Sequence, residues 1–189
     1  MRKVILYVNT TLDGYMAGPG GELDWMIPDP VMNEELSDEM RGEVDTILTG
    51  RNAYQAFEAN FRQEAADPAS PAGLVEFANW MIDTPKVVFS RGLSTLDNPS
   101  ARLADADVPD AVASLKRLPG KGMVLFGGVS TVQRFVQRGL VDEYWIKVYP
   151  VALGNGQPVF TDLGDRARLN LVHSKAYDSG ILTLRYRPA

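Results

Sequence analysis

Three short segments of this sequence attach glycine, hydroxyl-bearing and arginine residues directly to apolar runs. They are Gly50-Arg51, Ser90-Arg91 and Gly127-Gly128-Val129-Ser130-Thr131. The N–H groups at the start of a helix, with the positive end of the helix dipole, bind phosphate well, and an arginine adds a bidentate donor to it. For the segment from Gly127 to Thr131 alone, an ordinary tight turn is an equally good interpretation, and for Gly50-Arg51 alone a surface ion pair is the better one. The three together favour a nucleotide with separated phosphates.

The apolar pattern places each segment at the end of a buried strand. It predicts strands at residues 3–10, 45–49, 86–89, 101–103, 123–126, 142–150, 168–177 and 181–186, and helices at 29–44, from 51, at 74–81, at 109–118 and from 129. This alternation predicts a single α/β domain, residues 1–189, with a mainly parallel sheet covered on both faces and a C-terminal antiparallel hairpin. Ligands of such sheets bind beyond the carboxyl ends of the strands, so the three segments are expected to meet on one rim.

Composition narrows the classes of function. The chain has a net charge of −5, no cysteine and one histidine, with a pI of about 4.9. An acidic chain argues against nucleic acid or an anionic membrane as the main partner. The absence of cysteine excludes disulfides, thiol nucleophiles and cysteine-based zinc sites. No long apolar run and no signal peptide are evident, so a soluble cytoplasmic protein is expected.

A glycine-rich segment follows the first predicted strand. Residues 11–21 contain four glycines and one proline, which predicts a loop without regular structure. A loop of this length is unusual unless it has a function. Both a lid over a ligand and a flexible surface connection are compatible with it.

Five motifs, in order, resemble those of a known family. Gly50-Arg51-Asn52-Ala53-Tyr54, Ser90-Arg91 and Phe126-Gly127-Gly128-Val129-Ser130 resemble the cofactor motifs of dihydrofolate reductase-like proteins. Two further segments, residues 11–17 and 149–156, resemble the branch related to the reductase domain of the bifunctional riboflavin-biosynthesis deaminase–reductase. The resemblance implies a three-layer α/β/α fold, NADPH as the hydride donor, and a homodimer, for which the late strands with Trp145 and Tyr149 are the expected interface.

The resemblance also assigns roles to individual residues. Arg51, following Gly50, would meet the phosphates of the cofactor, and Ser90 and Arg91 would hold its 2′-phosphate. The segment from Gly127 to Thr131 would surround the pyrophosphate, with a cis Gly127–Gly128 bond. The backbone of Val8, Asn9 and Ala17 would border the nicotinamide, and residues 13–25 would form the loop that closes over it.

The residues expected to contact the substrate differ from those of dihydrofolate reductases. Those enzymes grip the pterin with a carboxylate on the first helix, where this chain has Pro30, with Glu34 one turn later. Asp13, Glu34 and a bound water are the candidates for proton delivery. The sequence therefore predicts an NADPH-dependent reductase of a small pyrimidine or pteridine, similar to 5-amino-6-(5-phosphoribosylamino)uracil reductase. The alternatives are a nucleotide-binding dimer without efficient catalysis and, more narrowly, a dihydrofolate reductase.

Overall fold

A computed structural model describes all 189 residues. The strands are β1 (Val4–Thr11), β2 (Tyr15–Ala17), β3 (Val44–Gly50), β4 (Lys86–Phe89), β5 (Ala101–Leu103), β6 (Gly122–Leu125), β7 (Glu143–Tyr149), β8 (Gln157–Pro158), β9 (Leu169–Ala176) and β10 (Leu182–Pro188). The helices are α1 (Pro30–Glu43), α2 (Arg51–Ala66), α3 (Ala72–Asp83), α4 (Val108–Arg117) and α5 (Val129–Gln137). None of the five helices combines the length and the apolar character needed to cross a membrane.

Eight strands form the main sheet, in the order β5-β4-β3-β6-β1-β7-β10-β9. The pairings from β5 to β7 are all parallel, whereas β10 is antiparallel to both β7 and β9. The predicted mixed sheet with a C-terminal hairpin is therefore confirmed. This order places β1, which begins near the N-terminus, between β6 and β7.

Helices cover both faces of the sheet, because alternate strand residues point to opposite sides. On one face, Leu6 and Leu125 pack against Phe135 of α5. On the other face, Ile5 and Val124 pack with residues of α1 and α3 in a second cluster. The two apolar layers produce the three-layer α/β/α arrangement that the sequence predicted.

Two expectations about the chain need correction. The segment 11–21 does contain regular structure, since Tyr15–Ala17 pairs with β8 as a two-stranded sheet. Gly156 permits this close approach, because a Cβ there would overlap the carbonyl oxygen of Ala17. Trp145 and Tyr149 are each only 4% exposed and pack among residues of α1, so a dimer interface built from them is wrong.

Candidate functional site

A cleft of about 450 Å³ opens at the carboxyl ends of β3, β4 and β6, and the three segments identified from the sequence meet in it. Its lining includes eight of the predicted cofactor-binding residues, namely Gly50, Arg51, Ser90, Arg91, Gly128, Val129, Ser130 and Thr131. Gly127 lies immediately before this set and is partly buried. The expected convergence on one rim follows from the parallel sheet, in which β3 lies between β4 and β6.

Glycines allow the two helices of the cleft to start close together. Gly50 is the residue before α2 and Gly128 the residue before α5. A Cβ on Gly50 would overlap the hydroxyl oxygen of Thr131 in the first turn of α5. A Cβ on Gly127 would lie 2.6 Å from Cγ2 of Val132. The first-turn N–H groups of both helices therefore lie at the cleft, where they lack partners within their own helices.

The peptide bond between Gly127 and Gly128 is trans, since the chain contains no cis bond. The cis bond that the family resemblance implied at this position is therefore wrong. Gly128 has extended backbone angles, φ −72° and ψ 157°, which are ordinary for the residue preceding a helix. The chain turns from strand to helix without the energetic penalty of a non-proline cis bond.

The cleft is cationic although the chain as a whole is acidic. Arg51, Arg91 and Arg134 line it, and its lining contains no aspartate or glutamate. None of these three arginines takes part in an ion pair. Unpaired guanidinium groups beside two helix N-termini suit a ligand with several phosphate groups.

Side-chain contacts fix the directions of two of the predicted ligand-binding groups. The Nε of Arg51 donates to Oδ1 of Asn52 at 3.2 Å, and its Nη1 would lie 3.2 Å from a Cβ on Gly92. Arg51 thus reaches from α2 to the turn after β4. The Oγ of Ser90 accepts the N–H groups of Gly92 and Leu93 at 3.2 and 3.1 Å, so its hydroxyl proton is free to donate to a ligand.

Arg134 and Gln157 are cleft residues that the sequence analysis missed. Arg134 follows Ser130 by four positions on α5, a spacing that puts both on one face of a helix. That four-residue spacing is the feature of the sequence that could have identified Arg134. Gln157 lies in β8, which pairs with β2 and is also held by a hydrogen bond from Gln133 of α5 to the carbonyl oxygen of Pro158. No local pattern in the sequence indicates these contacts.

The residues expected at the nicotinamide lie on β1 and β2, outside the lining of the cleft. Val8 and Ala17 are buried, at 7% and 4% exposure. Asn9 points to the opposite face of the sheet from Val8, and its Nδ2 donates to the sulfur of Met26 at 3.1 Å. Its Oδ1 is buried and has no hydrogen-bond partner. The roles of these three residues stay predictions.

The contacts of Asp13 favour a structural role over the predicted role in proton delivery. Its carboxylate accepts the Thr11 hydroxyl at 2.6 Å and the N–H groups of Leu153 and Gly154 at 3.2 and 2.7 Å. The bond from Thr11, followed by that from Gly154, lowers the pKa of Asp13. A carboxylate held by three donors stays ionised and ties the loop after β1 to residues 153–154.

The region around Pro30 provides no obvious substitute acid. Asp29 caps α1 by accepting the N–H of Met32 at 2.9 Å, and its other oxygen accepts the hydroxyl of Ser179. The Met32 bond is the main reason that the pKa of Asp29 is lowered. Glu34 is exposed on α1 and makes no ion pair. Its catalytic role stays a prediction.

Comparison with known proteins gives a consistent picture of the fold. A model of the family described as the RibD C-terminal domain matches residues 2–183. The chain is 34% identical to the uncharacterized protein YyaP of Bacillus subtilis (strain 168) over 185 residues, covering 98% of this chain and 94% of YyaP.

Two solved structures share the architecture. One is a protein of Shewanella sp. PV-4 provisionally assigned to riboflavin biosynthesis, with a TM-score of 0.75, 24% identity and 99% of both chains covered. The other is a diaminohydroxyphosphoribosylaminopyrimidine deaminase/5-amino-6-(5-phosphoribosylamino)uracil reductase of Thermotoga maritima. It gives a TM-score of 0.69 at 16% identity, and the match covers all of this chain and 57% of that longer one. At these identities the two structures establish the fold alone.

Proposed function

The chain belongs to the RibD C-terminal domain family, and from this premise we propose that it is an NADPH-dependent reductase of a small heterocycle. The substrate class is a pyrimidine or pteridine, similar to the 5-amino-6-(5-phosphoribosylamino)uracil named for the Thermotoga maritima protein. One observation supports the proposal above all others. Three arginines, Arg51, Arg91 and Arg134, line a cleft that contains no carboxylate and lies at two helix N-termini, on the rim where α/β sheets bind ligands.

The residues of the cleft fit the parts of this cofactor. In the proposal, Arg51 and the first turn of α5 bind the diphosphate, while Ser90 and Arg91 bind the 2′-phosphate. Val8, Asn9 and Ala17 border the nicotinamide with their backbone groups, and β2 with the following loop shields it from water. When bound, NADPH supplies the hydride, and the protein holds the two reactants in a productive orientation.

Discrimination between NADPH and NADH tests the assignment of the arginines. We expect Arg51→Ala/Arg91→Ala to weaken NADPH binding about 10- to 100-fold, because each charge-assisted hydrogen bond contributes about 1.5–3 kcal/mol and these side chains are exposed. NADH binding should fall several-fold less. The measurement is a titration followed by nicotinamide fluorescence.

A matched control separates local contacts from general charge effects. Arg102→Ala/Arg138→Ala removes the same charge from exposed arginines outside the cleft and should leave both affinities within about twofold. Equal weakening of NADPH and NADH by the cleft variant, or no weakening, would contradict the assignment of the 2′-phosphate site.

A second candidate is a nucleotide-binding protein without efficient catalysis. It is favoured by the contacts of Asp13, which hold that carboxylate in a structural role. Oxidation of NADPH with a panel of pterins and pyrimidines distinguishes the two. Binding without turnover on any of them favours the second candidate, whereas tight antifolate binding with turnover of dihydrofolate would indicate a dihydrofolate reductase.

We also propose that the protein forms a homodimer through β9. This strand is one of the two edges of the sheet, and Leu171 and Val172, on its two faces, are 55% and 47% exposed. Such an apolar edge is prone to pair with another strand. Sedimentation analysis should give a dimer for the native chain and a monomer for Val172→Lys. A native monomer would rule the dimer out.

A further inference from the structure

Lys147 is a buried lysine that the fold does not neutralise. It lies on β7 and is 6% exposed, yet its ammonium has neither a carboxylate within ion-pair distance nor a hydrogen-bond acceptor from the protein. Its Nζ lies over the ring of Tyr7, 4.8 Å from the ring centroid. Burial lowers the pKa of Lys147 to about 8. Nζ itself keeps some contact with solvent, since Oδ1 of Asn9 is the one fully buried side-chain polar atom without a partner, but a lysine buried to this extent is normally paired.

Lys86 shows how the same fold treats a structural lysine. It is equally buried, at 3% exposure, but its Nζ donates to the carbonyl oxygens of Ile82 and Thr84 at 2.8 and 3.0 Å. Glu58 lies 3.7 Å away. The contrast indicates that Lys147 does not serve to tie elements together.

Asn9 is a second incompletely satisfied group next to Lys147. The two residues are register partners in the parallel β1–β7 ladder, so their side chains leave the same face of the sheet. Oδ1 of Asn9 is buried without a partner. A donor and an acceptor that both lack partners therefore lie side by side on neighbouring strands.

Aromatic side chains surround this pair, and one of them directly precedes the glycines of the cleft in the chain. The ring of Tyr7 meets that of Phe126 edge to face, at 5.3 Å, and Phe126 leads directly into Gly127-Gly128 at the cleft. On the other side, Trp25 packs on Tyr149 at 5.4 Å, and Met26 contacts Asn9. Flat aromatic walls with a few polar groups suit a heterocyclic ligand, and the cavity of about 10 Å³ that Tyr7 and Lys147 line would have to widen to admit one.

We propose that Lys147 and Asn9 form the substrate-recognition pair, in which Nζ of Lys147 donates to a ring carbonyl of the heterocycle and Oδ1 of Asn9 accepts the adjacent ring N–H. The inference deepens the proposed function, because it names the substrate class as a heterocycle with a lactam edge. A ring carrying an amino group in place of the carbonyl presents a donor to the ammonium and is disfavoured. Lys147 is then a specificity-determining residue rather than part of the cofactor site.

A pair of analogues tests this preference. Pterin and its diamino analogue differ by replacement of the ring carbonyl with an amino group, as 1-methyluracil differs from 1-methylcytosine. We expect the protein to bind the oxo member of each pair about tenfold or more tightly than the amino member, since a site built for one hydrogen-bonding pattern rejects the opposite one. In Lys147→Met the preference should disappear, and Asn9→Leu should weaken the oxo member.

The readouts separate this inference from the proposed function. Ligand binding is followed by the fluorescence of Trp25 and the other tryptophans, both with and without NADPH, and NADPH affinity is measured in parallel. An unchanged NADPH affinity in Lys147→Met with loss of the oxo preference supports the pair. Retention of the preference in Lys147→Met, or failure of the native protein to bind either member, overturns it. Absence of NADPH binding by the native protein would overturn the proposed function while leaving the analogue test intact.

Discussion

Replacement of Lys147 by methionine is expected to stabilise the protein at neutral pH and to lose that advantage at alkaline pH. The cause is the burial of an unpaired ammonium, which lowers the pKa of Lys147 from 10.5 to about 8. Methionine has a similar length, is apolar and fits irregular core space. It should pack on Tyr7 without the cost of desolvating a charge.

The pH window follows from the direction of the shift. Below about pH 8 the lysine is protonated in both states, so the folded state bears the whole penalty, about 3 kcal/mol at 1.36 kcal/mol per pKa unit. Between about pH 8 and 10.5 the folded lysine is neutral while the unfolded one stays charged. The unfolded state then binds more protons, so the stability of the native sequence rises with pH relative to the variant. From pH 7 to pH 10 this relative gain is about 2 kcal/mol.

The assay is urea unfolding of the native protein and Lys147→Met at pH 7 and at pH 10. Comparing the two proteins cancels the tyrosines and lysines that titrate in both. Lys121→Met, at an exposed lysine, serves as the control and should change the unfolding free energy by no more than about 0.5 kcal/mol at either pH. If Lys147→Met is less stable at pH 7 and the gap does not change with pH, the ammonium is satisfied in the fold and the reasoning fails.

Four further predictions concern the frame of the site. Gly50→Ala should lower the unfolding free energy by about 1–3 kcal/mol, because its Cβ would overlap the start of α5. A stable Gly50→Ala variant would argue against this close approach. Gly128→Ala, with open space around its Cβ, should keep the unfolding free energy within about 0.5 kcal/mol of the native value but weaken NADPH binding in the fluorescence titration. Phe135→Ala should cost about 3–5 kcal/mol in urea unfolding because Phe135 is fully buried, and a loss below that range would show that the core collapses into the space. Asp13→Asn should speed proteolysis of residues 12–25. Acidification should do the same to the native protein, because the stability that comes with the lowered pKa of Asp13 is lost as pH falls through that pKa. Equal cleavage rates would show that Asp13 does not tie this loop to residues 153–154.

The sheet and the cleft could be predicted from the sequence because both depend on local patterns. Apolar runs followed by Gly50-Arg51, Ser90-Arg91 and Gly127-Gly128 predict strand ends, and a parallel sheet brings such ends to one edge. Lys86–Phe89 and Ala101–Leu103 were predicted with the bounds that the structure has. The long antiparallel hairpin was equally readable from its alternation and its Asp-Ser-Gly turn.

Other features depend on contacts that no local pattern encodes. The β2–β8 pair joins residues about 140 positions apart, and the structural role of Asp13 requires N–H groups from residues 153 and 154. Lys147 lies within an apolar strand, where its charge gives no indication of whether a partner is present. Only its surroundings in three dimensions show that it is unpaired.

The position of β1 in the sheet has a consequence for how the chain reaches its native state. This strand comes more than a hundred residues before both of its neighbours, β6 and β7, along the chain. The centre of the sheet therefore cannot close until both β6 and β7 have been made, and the apolar Val4–Val8 run has no strand partner in this sheet before β6 is made. Such long-range pairing slows folding, so nascent chains ending before β6 should depend on chaperones far more than chains that include β7.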